Sequence, residues 1–231
     1  IVVEVGVTQR RFETLAELNP KLVYGSLRGF GDPRCGESPY ADWPAYDPVA
    51  QAMGGMMGIT GPVPGGPPTK IGPGLGDIVP AMFLAFGVMS ACWHAQRTGR
   101  GQFVDVAMVD GVLAVCERIV YQYSTSGKAP GPEGNGHPLL SPFGLFPAKD
   151  GYVSLGVPND RFWVPFVERM GHPELATDPR YLTKEDRVAR RARREGALAD
   201  GHLRPPRRPP LAGEAGAGAL AGIGRPRAEA G

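Results

Sequence analysis

Residues 74–108 read GLGDIVPAMFLAFGVMSACWHAQRTGRGQFVDVAM, and the change of period inside this stretch sets the fold class. From Ile78 to about Gln96 the text is apolar nearly all round, which predicts a helix buried on most of its faces. Arg97-Thr98-Gly99 closes it, a basic last turn followed by glycine. From Gln102 to Met108 apolar and polar residues alternate, the period of a strand. A second helix is predicted from about Val109 to Tyr123. Helix, strand and helix in succession are the pattern of an α/β protein.

The flanking text extends that pattern. Upstream, Ile1-Val2-Val3-Glu4 looks like a strand already under way, so a partial chain is expected. Glu13 to Asn19 reads as a helical turn closed by Pro20, and Lys21 to Leu27 as a strand running into Gly29-Phe30-Gly31. Asp47-Pro48 opens a helix to about Met57, with Asp47 as N-cap and Pro48 in the first helical position. Downstream, Gly127 to His137 is a polar glycine/proline loop. Phe143 to Val157 reads as a hairpin turning at Lys149-Asp150-Gly151, and Asn159 starts a helix to about Met170.

Composition narrows the function classes. Of 231 residues, 42% are hydrophobic and 21% charged, which supports a packed core. The formal net charge of +2 is unevenly spread. Residues 1–186 carry 15 Lys/Arg against 19 Asp/Glu, and residues 187–231 carry 10 against 4. The basic character belongs to the tail, so no nucleic-acid partner is expected of the body. Cys35, Cys92 and Cys116 are far apart, with no CxxC and no His pair at metal spacing. A reducing cytoplasm fits, and neither a disulfide scaffold nor a metal site is expected. The apolar run from Ile78 to Trp93 is about 16 residues, short for a bilayer span, and no membrane partner is expected.

From Arg190 the text changes: of the last 42 residues 10 are Ala, 9 Arg, 8 Gly and 5 Pro, and none is aromatic. Such a segment buries too little apolar area to offset its ordering entropy. It reads as a disordered basic tail or as out-of-frame text.

The candidate chemistry centres on Gly74-Leu75-Gly76-Asp77, a glycine-flanked carboxylate where a loop enters a helix. Glycines let a ligand approach the backbone, and free N–H groups of a first helical turn favour an anion or oxyanion. A carboxylate placed there can act as a nucleophile. Read on the tetrapeptide alone, Asp77 is an N-cap before it is anything else. Tyr46-Asp47 near a helix start could reach a site, with Asp47 equally a cap. The Gly131–His137 loop lacks the context of a phosphate loop and reads as a linker or a lid.

Taken in order, these residues resemble a known family. Asn19-Pro20-Lys21-Leu22-Val23-Tyr24, Gly29-Phe30-Gly31, Pro39-Tyr40 and Ala45-Tyr46-Asp47 lead into Gln51-Ala52-Met53-Gly54-Gly55. Gly76-Asp77, Arg97-Thr98-Gly99-Arg100-Gly101-Gln102 and Val104-Asp105-Val106-Ala107-Met108 follow. Over roughly residues 13–187 the series is similar to the class III CoA-transferases, which include formyl-CoA transferase and carnitine-related CoA-transferases.

The resemblance implies that Asp77 is the catalytic nucleophile, forming an aspartyl anhydride and then an aspartyl-CoA thioester. It implies substrate or CoA contacts at Tyr46, Asp47, Gly76 and Met108, and a Gly134–His137 loop, with Gly134, Gly136 and His137, over the intermediate. The substrates would be an acyl-CoA and a carboxylic acid, with coenzyme A entering as substrate and no metal or redox cofactor. It implies a fold of the interlocked-dimer type, with part of a Rossmann-like large domain over residues 1–125. Part of a smaller α+β domain would occupy residues 126–189, and the tail residues 190–231. A homodimer is implied for the full-length protein.

Two rivals stand beside this reading. A racemase branch of the same family uses a His where this chain has Tyr46, and a tyrosine with an ordinary pKa near 10 is a poor base at neutrality. A non-catalytic remnant is the other, because family members are about twice as long and residues 5–11 lack the usual Asn-Phe-Arg-Pro-Gly run.

Overall fold

The computed structural model describes residues 1–5, 11–148 and 151–190. The chain divides into two compact units, the first ending at Pro132 and the second beginning at Glu133.

The first unit is built on a parallel sheet. Strand β1 (Val2–Val5) precedes helix α1 (Arg11–Leu18) and strand β2 (Val23–Arg28). Helices α2 (Asp47–Met53), α3 (Met56–Ile59) and α4 (Leu75–Thr98) then cross over to β3 (Gln102–Ala107). Parallel neighbours require such a long connection, because a tight turn can only reverse the chain. The strand order is β1-β2-β3, with Val23 paired to Gln102 and Arg28 to Ala107. Helices α5 (Met108–Val115) and α6 (Arg118–Ser126) complete the unit.

Helix α4 is buried along one stripe, through Gly76, Pro80, Leu84, Val88, Ala91 and Ala95, with Gly76 against α2, Pro80 against α5 and the rest toward the sheet. Spacings of three and four keep these on one face. Val23 of β2 joins Leu84, Val88, Ala91 and Ala95 in one core cluster. The expectation of burial on most faces is corrected here. Met82, Phe86, Met89 and Trp93 are exposed, Phe86 at 75%. Among the described residues, packing elements lie along a single side of the helix. At 24 residues it is also the one described helix long and apolar enough to cross a membrane.

A second cluster joins Ala50, Met56, Met108, Val112 and Cys116. It lies between α2–α3 and α5. Two predicted helices are divided in the structure. The 47–57 helix breaks at Gly54-Gly55, where Gly55 takes φ +89°, a conformation that side chains disfavour. The 109–123 helix breaks at Cys116-Glu117, where Glu117 adopts φ +33°.

At the sheet's C-terminal edge, Arg28 and Asp32 are buried and paired at 3.2 Å. The Asp32 N–H donates to Asp105 Oδ2 at 2.8 Å, tying the loop after β2 to β3.

The second unit holds β4 (Gly136–His137), β5 (Leu140–Ala148) and β6 (Gly151–Gly156), an antiparallel sheet in that order. The expected hairpin is present as β5 and β6, and Lys149 and Asp150 of its turn lie outside the described residues. Helix α7 (Asp160–Arg169) is capped by Asn159, whose side chain accepts from the Arg161 N–H. Trp163 and Val167 pack with Val157 beneath it.

Helix α8 (Lys184–Ala189) carries the fully buried Arg187. Its guanidinium donates to the carbonyls of Ser141, Tyr181 and Leu182 and to Asp160 Oδ1, and lies 5.0 Å from the Trp163 ring centre. The reading of the tail falls on residues 191–231, outside the described residues.

Candidate active site

Helices α2 and α4 begin side by side, and Asp47 joins them. Its Oδ1 accepts the Gly76 N–H at 2.9 Å and the Gln51 side-chain amide at 2.7 Å. Its Oδ2 pairs with Lys70 Nζ at 3.2 Å. Asp47 therefore caps α4, across space, and leaves its own helix uncapped by a side chain. That corrects the expectation of Asp47 as N-cap to α2. Tyr46 holds the N-cap position, and its carbonyl accepts the Val49 and Ala50 N–H groups.

Gln51 stands one turn along α2 from Asp47 and is 0% exposed. Besides Asp47, its Nε2 donates to the Pro73 carbonyl at 3.2 Å, and its Oε1 accepts the Ile71 N–H at 3.0 Å. A buried amide costs free energy unless its donors and acceptor are used, and here both ends are. Lys70 Nζ adds bonds to the Ile71 and Gly72 carbonyls. Loop residues 70–73 are thereby fastened to α2 just before α4 begins.

Gly76 is where the two helices touch. A Cβ built there would lie 2.7 Å from the Asp47 carbonyl oxygen and 3.0 Å from Asp47 Cα. Backbone on one side and backbone on the other leave room for no side chain.

Asp77 follows, exposed, as the third residue of α4. Gly74 has the N-cap position, so Asp77 is no cap. The position that a Cβ on Gly74 would occupy lies 3.8 Å from both Asp47 Oδ1 and Asp77 Oδ2. The two carboxylates thus flank one small, side-chain-free spot.

The expectation of free first-turn N–H groups is corrected too. The Leu75 N–H donates to Pro73 O, Gly76 to Asp47 Oδ1, and Asp77 and Ile78 to Gly74 O. The three N–H groups of the first turn, those of Leu75, Gly76 and Asp77, are thus in use, and the Ile78 bond is the first ordinary one of the helix. The helix dipole still favours negative charge at this end, but hydrogen bonds to an oxyanion would have to come from other groups.

Electrostatics support an ionised Asp47. Its partial burial would push the carboxyl up, but the Gln51 amide, the Gly76 N–H and the Lys70 ammonium together hold it below its ordinary value.

The remaining sequence candidates are differently placed. The Tyr46 side chain is 71% exposed. Met108 is buried in the α2–α5 core, packed with Ala50, Met56 and Val112. Gly134, Gly136 and His137 belong to the second unit. There Gly136 pairs with Gly144, and His137 Nδ1 accepts the Leu139 N–H and packs edge-on to Phe143.

Sequence reasoning assigned no role to Gln51 or Lys70. For Gln51 the usable signal was its place four residues after Asp47 on a predicted helix, where side chains meet. Among the described residues no three His, Cys, Asp or Glu side chains group as a metal site.

The sequence profile of CoA-transferase family III matches residues 7–204. The chain belongs to CoA-transferase family III.

Its relatives in this family are close. It is 47% identical over 189 residues to the succinyl-CoA:mesaconate CoA-transferase of Haloarcula hispanica, covering 82% of this chain and 47% of that protein. It is 41% identical over 197 residues to the acetyl-CoA:oxalate CoA-transferase of Acetobacter aceti, covering 84% and 49%. A crystal structure of a CAIB/BAIF family protein from Brucella suis superposes with a TM-score of 0.67 at 35% identity, covering 84% of this chain and 50% of that one. The chain spans about half the length of the family III members that it matches. The expected α/β fold, as a partial copy of that architecture, is what the Brucella suis structure shares with it.

Proposed function

We propose that the protein moves CoA from an acyl-CoA donor to a carboxylic acid acceptor, with Asp77 as the nucleophile. The observation that carries this is an exposed Asp77 carboxylate on a rigidly fastened helix start, beside Gly74 and the Asp47 carboxylate.

In the first step an Asp77 oxygen attacks the thioester carbonyl of the donor. The C–S bond breaks, CoA leaves as thiolate, and a mixed anhydride forms. The thiolate then attacks the Asp77 carbonyl carbon, releasing the donor acid as carboxylate and leaving an aspartyl-CoA thioester. The acceptor carboxylate attacks that thioester, expelling CoA thiolate and forming a second anhydride. Attack of the thiolate on the acceptor's acyl carbon gives the new acyl-CoA and restores Asp77. Covalent catalysis divides one difficult exchange into four easier ones.

Mesaconate and oxalate, named for the two relatives above, are dicarboxylates, as is the glutarate of a further relative from Agrobacterium fabrum, a succinate–glutarate CoA-transferase at 39% identity. Their names support a dicarboxylate acceptor here. The reading carries with it a cytoplasmic homodimer that uses coenzyme A as substrate and no metal or redox group.

The test is a hydroxylamine trap on the full-length protein with succinyl-CoA. The expected product is a hydroxamate at Asp77, seen by peptide mass spectrometry and absent from Asp77→Asn. Lack of any adduct, or deuterium wash-in at the α-carbon of a 2-methylacyl-CoA without a second acid, would overturn it.

A further inference from the structure

We propose that Gln51 is a positioning residue for Asp77, an inference that rests on the nucleophilic reading of Asp77. The hydrogen bonds of the Gln51 side chain go to Asp47, Ile71 and Pro73, and none goes to Asp77. Its amide instead joins the groups that decide where α4 starts. One end accepts the Ile71 N–H at 3.0 Å, and the other donates to the Pro73 carbonyl at 3.2 Å and to Asp47 Oδ1 at 2.7 Å.

The same Asp47 oxygen accepts the Gly76 N–H, next to Asp77. The route from Gln51 to the nucleophile is therefore two hydrogen bonds and one peptide unit.

Only an amide fits this position. It must accept at one end and donate twice at the other, in a pocket closed to water. A carboxylate would turn the donating end into an acceptor, facing the Asp47 carboxylate and the Pro73 carbonyl. The Ile71–Pro73 segment and the first turn of α4 would then lose their common anchor. Displacement of a nucleophile by about 1 Å can cost on the order of 100-fold in rate.

The experiment compares wild type, Gln51→Glu and Gln51→Met in the full-length protein. Gln51→Met removes the three hydrogen bonds without setting an acceptor against the Asp47 carboxylate or the Pro73 carbonyl. Single-turnover acylation of Asp77 by succinyl-CoA is followed with the hydroxylamine trap, beside the KM for succinyl-CoA.

The expected result is a fall of about 10- to 100-fold in acylation rate for Gln51→Glu, with little change in KM. Gln51→Met lacks the repulsion but also lacks the anchor, so its acylation rate should fall as well, again with little change in KM. If Gln51→Glu acylates at the wild-type rate, or changes KM alone, the proposal fails. If Gln51→Met acylates at the wild-type rate, it fails as well. Wild type that never acylates Asp77 would instead defeat the parent reading.

Discussion

The Asp47 carboxylate and the Gly76 amide, 29 residues apart, share a 2.9 Å hydrogen bond that joins the first turns of two helices. A side chain on α2 thus performs for α4 the duty usually given to a residue just ahead of the helix. Asp77 inherits its place from that bond.

Asp47→Ala should cost about 0.5–2 kcal/mol, the range for a lost helix cap, because it strands the Gly76 N–H and one Gln51 donor. Asp47→Asn keeps an acceptor and should lose less. The difference has a pH signature. The folded carboxyl titrates below its ordinary value, so its contribution is complete above the unfolded pKa of about 3.9 and fades as pH falls through the lower folded value. Urea midpoints of wild type and Asp47→Asn should differ by a constant amount at pH 5–7 and converge below about pH 4. A gap that widens in acid would contradict the assignment.

Gly76→Ala should destabilise, although alanine is the better helix former. The new Cβ meets Asp47 backbone at 2.7 Å, which no side-chain rotation can relieve, and overpacking of this kind costs about 1–3 kcal/mol. Gly58, in α3, has no atom within 4 Å of such a Cβ. Gly58→Ala should therefore stabilise by about 0.5–1 kcal/mol. Thermal denaturation of the pair gives opposite signs if the α2–α4 contact is as described.

Asp105 should behave in the sense opposite to Asp47. Burial raises its carboxyl above the ordinary value, against the opposing hydrogen bond from the Asp32 N–H. The folded state then holds the proton more tightly than the unfolded chain does. The associated stability is present below the unfolded pKa of about 3.9 and is lost as pH rises through the higher folded one. Asp105→Asn, which keeps an acceptor for Asp32, should gain on wild type as pH rises from 4 to 7. Denaturant titrations at three pH values would show it, and a flat difference would count against it.

Arg187→Met should weaken the second unit by about 1–3 kcal/mol, since it leaves the buried Ser141 carbonyl and the part-buried Tyr181 and Leu182 carbonyls without their donor. Arg187→Lys should recover little, because an ammonium cannot span the same set of acceptors. Hydrogen exchange in β5 and α7 is the measurement. Equal protection in Lys and Arg forms would argue that charge, not the planar fork, matters there.

Much of this architecture was readable in the residues. The alternation of Gln102–Met108 yields β3, and Asn159 caps α7 where an Asn before an amphipathic run should. Such features are local, set by period and by a side chain acting on its own turn. The missed features are long-range. Asp47 looks like a cap for the helix it opens, and nothing near it in sequence says that Gly76 will take its oxygen. Gln51 and Arg187 are polar residues that a linear reading assigns to solvent, and only the completed fold shows each one enclosed by acceptors and donors. The free N–H groups expected at the start of α4 were a sound rule for an isolated helix, but Asp47 of a neighbouring helix takes one and the Pro73 and Gly74 carbonyls take two. The apolar surface of α4 was legible as composition, but which of its faces would be covered was not.

The contact at Gly76 also bears on how this protein can change. Asp47 supplies the oxygen that Gly76 needs and the backbone that forbids Gly76 a side chain. In a saturation library of single substitutions each position will look intolerant for its own reason. No substitution at residue 47 removes its backbone, so a lineage can open room at residue 76 only by moving one helix against the other, and glycine there records how closely the two chains of backbone run.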